Sequence, residues 1–345
     1  MYQESMGSRK TLGDVDIIFH EGIYHLFHLV LPNHDYIAHA VSNDCVRWRQ
    51  VENALFIGDP GSWDDSMLWT VHVSENPHHK GHWRMFYTGL SRRDQGKKQR
   101  IGLAESDNLY TWQKVPVNWQ DKRTPLPYSL PGKPTAPAFE YDADSCYPLQ
   151  PDSHYYESEI DTARHWVSWR DPFYFNDGIN GWLFCAARVD HGPLVRRGCV
   201  ACLEEVGDGH FTAREPLFHP GLFDDIEVPN VILIGDYYYL IGSIREEARV
   251  RYWRATSLSG PWVSLSDNEL IIVGNYAGRV SADDKGFLFW CFFSERATER
   301  TVKNFMPPPK RLFQKPNGEL ALKSFEGFNQ LVKARLDTTK ICPLI

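Results

Sequence analysis

Short runs of Val, Ile, Phe, Tyr and Trp follow one another along the chain, broken by Gly, Asn, Asp and Pro. Almost no stretch places apolar residues at helical spacing, so the pattern predicts an all-β protein. A unit also recurs. A polar turn leads into an aromatic strand, then a strand of small and apolar residues, then a polar turn closing on Trp or another aromatic. It reads EGIYHLFHL with IAHAVSNDCVRW, GHWRMFYTG with IGLAESDNLYTW, NGWLFCAAR with CVACLEEVGDGHF, and GDYYYLIGS with VRYWRATSLSGPW. It returns more weakly as KGFLFWCFF. About five such units predict a five-bladed β-propeller, because each alone leaves a sheet face bare and must stack on its neighbours around an axis. The competing arrangement is a β-sandwich whose strands happen to rhyme. Residues 115–164, rich in Pro, Tyr and Asp, fit no unit. They are expected to form a long inter-blade insertion that shapes a pocket rim or a homo-oligomer contact. Residues 1–345 are expected to form this single catalytic domain, with no C-terminal β-sandwich.

Composition narrows the class of ligand. With 345 residues the chain can bury a large core, and 42% hydrophobic against 23% charged residues is ordinary for a globular protein. The net charge of -7 and pI of about 6.1 speak against nucleic acid or an anionic membrane as partner, since both require a basic face. Aromatics reach 14%, with 12 Trp, an excess that suits flat polar ligands such as sugars as well as a core. The start MYQESMGSRKTLGDVD lacks a signal-peptide h-region and no apolar run is long enough to span a membrane. Seven cysteines, an odd number, are expected to be reduced, buried thiols. Together these point to the cytoplasm, although a secreted chain trimmed of its leader would look the same.

Three acidic motifs stand where an apolar strand meets a turn: GDVD with Asp14 and Asp16, WRDPFYF with Arg170 and Asp171, and DDIEVPN with Glu227. Each precedes the strand pair of a unit, so in a propeller they fall at equivalent places near the axis and bring three carboxylates together. Crowded like charges raise one another's pKa, which a glycosidase uses. One ionised carboxylate serves as nucleophile or base, one protonated carboxyl protonates the leaving oxygen, and a third grips hydroxyls. Arg170 is expected to hold Asp171 ionised.

The order GDV with YHLFH, GSWDD with LWTVHV and MFYTG, then WRDP, then EVPNVILIGDYYYLIGS, resembles the catalytic propeller of glycoside hydrolase family 32, the β-fructofuranosidases. It is less closely similar to furanosidase families 43 and 68. The tail YAGR with MPPPKRLFQKPNGELAL is similar to the end of the same propeller, so the resemblance runs from Gly13 to about Phe328. It implies Asp14 as nucleophile, Asp171 as transition-state stabiliser and Glu227 as general acid/base, with Asp16 lining the pocket or bonding a sugar hydroxyl. The family start WMNDPNG is absent, Val228 stands where ECP has Cys, and Val15 replaces a frequent Pro, which loosens the substrate inference more than the fold.

Further candidates follow from side-chain chemistry. Trp63, Asp64 and Asp65 in GSWDD, with Trp69 and His72 in LWTVHV, suit a sugar subsite of stacking indoles and hydroxyl-accepting carboxylates, or equally a turn and core strand. Tyr87 and Arg279 are weaker pocket candidates. His25 and His28 alternate with Tyr24 and Phe27 and are expected to be core or pocket-wall histidines, not metal ligands. No phosphate loop, Ser-His-Asp order or metal-ligand cluster competes, so no cofactor or metal is expected. The expected activity is hydrolysis of a terminal furanoside, a β-fructofuranoside first, by retaining double displacement, with an oligosaccharide or small glycoside as partner. The alternatives are an inverting family 43-like α-L-arabinofuranosidase, a fructosyltransferase-like enzyme, and a non-catalytic carbohydrate-binding propeller.

Overall fold

The structure is a computed structural model that describes residues 11–117, 119–121, 139–141, 147–160, 164–265, 268–271, 275–293 and 306–327. It is a five-bladed β-propeller. Blade I comprises β1 (Thr11–His20), β2 (Ile23–Leu31), β3 (Tyr36–Ser42) and β4 (Arg49–Gln50), with β5 (Leu55–Phe56) also paired to β3. Blade II comprises β6 (Met67–Glu75), β7 (Trp83–Leu90), β8 (Arg100–Ser106) and β9 (Gln113–Lys114). A separate ribbon, β10 (Trp119–Asp121) with β11 (Phe139–Tyr141), lies in the insertion. Blade III comprises β12 (Trp169–Asn176), β13 (Gly181–Arg188), β14 (Gly198–Gly207) and β15 (His210–Phe218). Blade IV comprises β16 (Ile226–Ile234), β17 (Tyr237–Ile244), β18 (Arg249–Ala255) and β19 (Glu269–Ile271). Blade V comprises β20 (Asn275–Asp283), β21 (Gly286–Phe293), β22 (Lys310–Gln314) and β23 (Leu320–Ser324).

Every blade is an antiparallel meander. The recurring sequence units are the second and third strands of the blades, which alternate packing faces and so rhyme most clearly. The first strand of each blade lies innermost, and β1, β6, β12, β16 and β20 touch in a closed ring. GDVD does not precede its strand, as the sequence suggests, but forms the first half of β1. The β1–β2 turn is tight because Glu21 and Gly22 both take left-handed backbone angles, φ 48° and 80°, the geometry that matches strand twist.

Five apolar clusters hold the ring, one at each blade–blade interface. Phe27 and Leu29 meet Val71 and Met85 between blades I and II, and Phe86 and Ile101 meet Tyr174 and Leu183 between II and III. Phe173 and Val200 meet Val231 and Leu240 between III and IV, and Tyr239 and Val250 meet Val280 and Phe289 between IV and V. The fifth joins the two ends of the sheet series: Leu12, Val15 and Leu26 pack on Ala277, Leu288 and Trp290.

This closing seam carries a buried polar link. Asp283 accepts from Tyr24 Oη at 2.7 Å and from Arg311 Nη1 and Nη2 at 2.6 and 2.8 Å. Removing one member of a buried, hydrogen-bonded charge pair strands the other. Asp283→Ala is therefore expected to lower stability by about 3 kcal/mol or more, read as a fall in the urea midpoint. An unchanged midpoint would show that the apolar seam alone closes the ring.

Of the 115–164 insertion, residues 118, 122–138, 142–146 and 161–163 lie outside the described residues. Its last part is an inter-blade wedge and not a rim: Leu149 pairs with Ile101, and Tyr156 donates to Arg214 O at 2.5 Å and accepts from Cys202 N at 3.1 Å. Tyr147 and Tyr156 fill the core between blades II and III. Cys45, Cys185, Cys199, Cys202 and Cys291 are free and buried, as expected; Cys146 and Cys342 lie outside the described residues. Among the described residues no helix is long and apolar enough to cross a membrane.

Candidate active site

All five inner strands break register at the same level. The irregularities fall between Leu12 and Val15, Trp69 and Val71, Arg170 and Phe173, Glu227 and Asn230, and Tyr276 and Arg279. A bulge adds a residue to one strand, bends it and re-aims its side chains. In blades III to V the first bulged residue is non-glycine with a left-handed backbone, φ 59° at Asp171, 49° at Val228 and 50° at Ala277. Such conformations cost on the order of 1–3 kcal/mol each and persist where the surroundings over-determine them.

The surroundings do so here. Asp171 Oδ2 accepts from Val228 N at 3.0 Å, tying bulge III to bulge IV. Asn230 Nδ2 donates to Val228 O and Gly278 O, both at 2.8 Å, tying bulge IV to bulge V. Below them the fully buried Arg279 reaches one group in every other blade. Its Nε is 3.1 Å from Asp16 Oδ1, and its guanidinium donates to Val71 O, Pro172 O and Pro229 O at 3.1, 3.4 and 3.3 Å.

Above this hub lies a cavity of about 300 Å³ lined by Asp14, Asp171, Glu227, Arg170 and Tyr276 on its polar side. Leu29, Leu31, Trp69, Val228 and Phe292 form most of the rest, with His34 at the edge. Asp14 accepts a hydrogen bond from Thr70 Oγ1. Burial, then the charge of Asp171, with a further push from Glu227, raise Asp14 to about 7. Burial also raises Glu227, against the pull of Arg170. Arg170 Nη2 donates to Glu227 Oε1 at 2.6 Å and lies 3.2 Å from Asp225 Oδ1, while its Nε is 3.6 Å from Asp171 Oδ2. The sequence pairs Arg170 with Asp171. In the structure the guanidinium is shared by three carboxylates and sits closest to Glu227.

Among the sequence candidates, Asp14, Trp69, Arg170, Asp171 and Glu227 therefore meet at one cavity. The others do not reach it. Asp16 lies beneath, its oxygens taken by Val73 N at 2.7 Å, His72 Nδ1 at 3.2 Å and Arg279. His72 is spent on Asp16 and on Tyr174 O at 3.2 Å. Arg279 is the hub already described.

GSWDD matches the other expectation, a turn whose side chains are engaged within the protein. The buried Trp63 ring stacks on Tyr87 at 5.5 Å, in a slot where a Cβ on Gly89 or Gly102 would come within 2.4 or 2.6 Å of the indole. Asp64 accepts from Tyr87 Oη at 3.1 Å and Lys114 Nζ at 2.5 Å. Asp65 accepts from Gly61 N and Arg92 N, both at 2.8 Å, and from Ser91 Oγ at 3.2 Å. His25 and His28 are core residues.

Two cavity residues, His34 and Tyr276, and Thr70, which donates to Asp14, are not among the sequence candidates. Thr70 and His34 carry no local signal. Tyr276 does: RDPF, EVPN and YAGR align as equivalent bulges, and Tyr276 occupies the place of Arg170 and Glu227. His34 has a left-handed backbone, φ 58°, and neither its Nδ1 nor Trp69 Nε1 has a hydrogen-bond partner within the protein. A His–carboxylate trio, His78, Glu205 and Asp208, lies at the opposite face, where Arg84 and Tyr174 already engage Glu205, each at 2.5 Å.

Comparison with known proteins bears on the fold. Residues 14–127, about a third of the chain, match the glycosyl hydrolases family 32 N-terminal domain. No curated protein sequence matches. The fold is similar to that of fructan 1-exohydrolase IIa from Cichorium intybus, with TM-score 0.67 and 16% identity over 95% of this chain; this chain spans 61% of that one. It is similar to a thermostable family-43 glycoside hydrolase, with TM-score 0.62 and 16% identity over 94% of this chain and 96% of that one. It is also similar to levansucrase from Bacillus subtilis, with TM-score 0.64 and 15% identity over 94% of this chain and 88% of that one. The chain therefore shares its fold with these proteins, and residues 14–127 match the family 32 N-terminal domain.

Proposed function

We propose that the protein hydrolyses terminal furanosides, β-fructofuranosides first, with retention of anomeric configuration. The observation that carries this reading is the meeting of Asp14, Asp171 and Glu227 in one small cavity, with the proton affinities of Asp14 and Glu227 raised by burial. A volume of about 300 Å³ is at the small end for ligand pockets and suits a single terminal sugar ring. The unpartnered Nδ1 of His34 and Nε1 of Trp69 supply hydrogen-bonding atoms for its hydroxyls.

In the first step Asp14 bonds to the anomeric carbon as the glycosidic bond breaks and Glu227 gives its proton to the leaving oxygen. Asp171 stabilises the positive charge that develops on the ring. In the second step Glu227 takes a proton from water, the water oxygen bonds to the anomeric carbon, and the ester to Asp14 breaks. Both carboxyls return to their starting states.

A panel of fructosyl and arabinosyl nitrophenyl glycosides tests this, with NMR of the first-formed anomer. Turnover of the fructoside with the retained anomer formed first supports the reading. An inverted first anomer overturns retention, and preferred turnover of the arabinoside overturns the substrate. A product that shifts to a new glycoside when a sugar acceptor is added marks transfer instead of hydrolysis. Binding without turnover across the panel overturns catalysis.

A further inference from the structure

Resting on that reading, we infer that Tyr276 is a positioning residue that selects which oxygen of Glu227 carries the catalytic proton. Both oxygens of Glu227 are engaged. Oε1 accepts from Arg170 Nη2 at 2.6 Å, and Oε2 accepts from Tyr276 Oη. The two partners differ in kind. A guanidinium has donors only and cannot accept, whereas a phenol hydroxyl can rotate to do either.

Arg170 is also immobile. Its Nη1 donates to Ser168 Oγ and to Gln99 Oε1 at 3.4 Å, and its Nη2 stands 3.2 Å from the buried Asp225. A proton on Oε1 would face a fixed N–H, so the acid form of Glu227 must carry its proton on Oε2. There Tyr276 Oη turns from donor to acceptor and holds the O–H until the leaving oxygen takes the proton. When Glu227 is ionised, Tyr276 donates again and steadies the carboxylate for water activation. Tyr276 and Arg170 hold equivalent bulge positions on either side of Glu227, on β20 and β12, so backbone strain fixes the geometry of all three.

Tyr276→Phe removes the hydroxyl and keeps the ring, with thermal unfolding as the check on folding. Without its donor the Glu227 carboxylate is less stabilised, so the alkaline limb of kcat/KM is expected to move up by roughly half to one pH unit. The loss in kcat is expected to be about tenfold larger for alkyl than for nitrophenyl furanosides, because only the former need a proton on the leaving oxygen. KM should change little, and Glu227→Gln with Tyr276→Phe should be no worse than Glu227→Gln alone. An unmoved alkaline limb, an equal loss for both leaving groups, or additive losses in the double variant would overturn the assignment. If Glu227→Gln itself keeps full activity, the acid/base reading fails first, and that outcome is distinguishable.

Discussion

Asp14→Asn is expected to abolish turnover on nitrophenyl and alkyl furanosides alike, by roughly 10³-fold or more, because an amide forms no glycosyl ester and both steps pass through one. Glu227→Gln is expected to behave differently. Alkyl furanosides lose about 10²–10⁴-fold, the usual worth of a general acid. A nitrophenolate leaves without help, so the first step survives on the activated substrate while water activation fails. The signature is a burst of nitrophenolate near one equivalent per site, followed by slow release, with azide accelerating the slow phase. Equal losses in the two variants on both substrates would assign the wrong roles, and full activity in either would remove that residue from the chemistry.

The same pair sets the pH profile. Productive enzyme holds one proton between Asp14 and Glu227, and the two titrate as a coupled pair with macroscopic steps. With Asp14 pushed up to about 7, kcat/KM is expected to fall above about pH 7 as the shared proton leaves, and at lower pH as a second proton neutralises the nucleophile. A carboxyl whose folded pKa lies above its unfolded value adds stability at low pH, and this is lost as pH rises through the folded pKa. Asp14→Asn should therefore melt higher than the parent protein at pH 8, which separates lost chemistry from lost folding.

Acid lability of blade I is the second large effect. His25 Nδ1 and His39 Nε2 meet at 3.1 Å in the core, with Phe27 stacked on His39 at 4.4 Å and Tyr110 against both rings. The contact requires a neutral pair, one nitrogen donating and one accepting. Burial pushes His25 down to about 4, helped by nearby His20, and pushes His39 down to about 3, helped by His25, His28 and Arg49. Because the unfolded rings take protons near 6.5, this stability is whole above pH 6.5 and is lost progressively as pH falls toward 4 and then 3. His34, also lowered by burial, adds to this slope, whereas Asp14 and Glu227, raised by burial, act in the opposite direction. A drop of about 3 kcal/mol for His25 alone follows from its shift. Urea unfolding across this range measures it. His25→Leu with His39→Leu replaces both partners with apolar groups and should flatten the slope; an unchanged slope would place the acid sensitivity elsewhere.

Local order carried much of this protein. The strand pairs that rhyme along the chain are the second and third strands of the blades, where alternation and aromatic content are written in consecutive residues. RDP and EVPN were legible for the same reason: an acidic residue one or two places before Pro stands out where an apolar strand meets a turn. Tyr276 was legible only by aligning YAGR with them, since nothing about Tyr-Ala-Gly suggests an acid/base neighbour. GSWDD reads locally as a sugar subsite or equally as a turn and core strand, and the partners that hold its carboxylates in the structure are distant in sequence. Asp64 is claimed by Tyr87 and Lys114, and Asp65 by Ser91 and Arg92.

The choice between Asp14 and Asp16 shows the division most clearly. Two residues apart in a strand, they point to one side, and their local sequence makes them look interchangeable. Two residues are also about 7 Å of strand. That places Asp14 in the cavity, against Thr70 and near Asp171, and Asp16 a layer deeper, where Arg279, His72 and the Val73 amide leave it no free oxygen. Sequence alone determined the all-β class, the fivefold repeat and the convergence of three acids, because hydrophobic period and repeat are properties of neighbouring residues. Tertiary structure decided which acids face the cavity, which are consumed by the hub, and how Arg170 and Tyr276 divide the two oxygens of Glu227. Those depend on depth along an axis built from five separate blades, and no local pattern encodes depth.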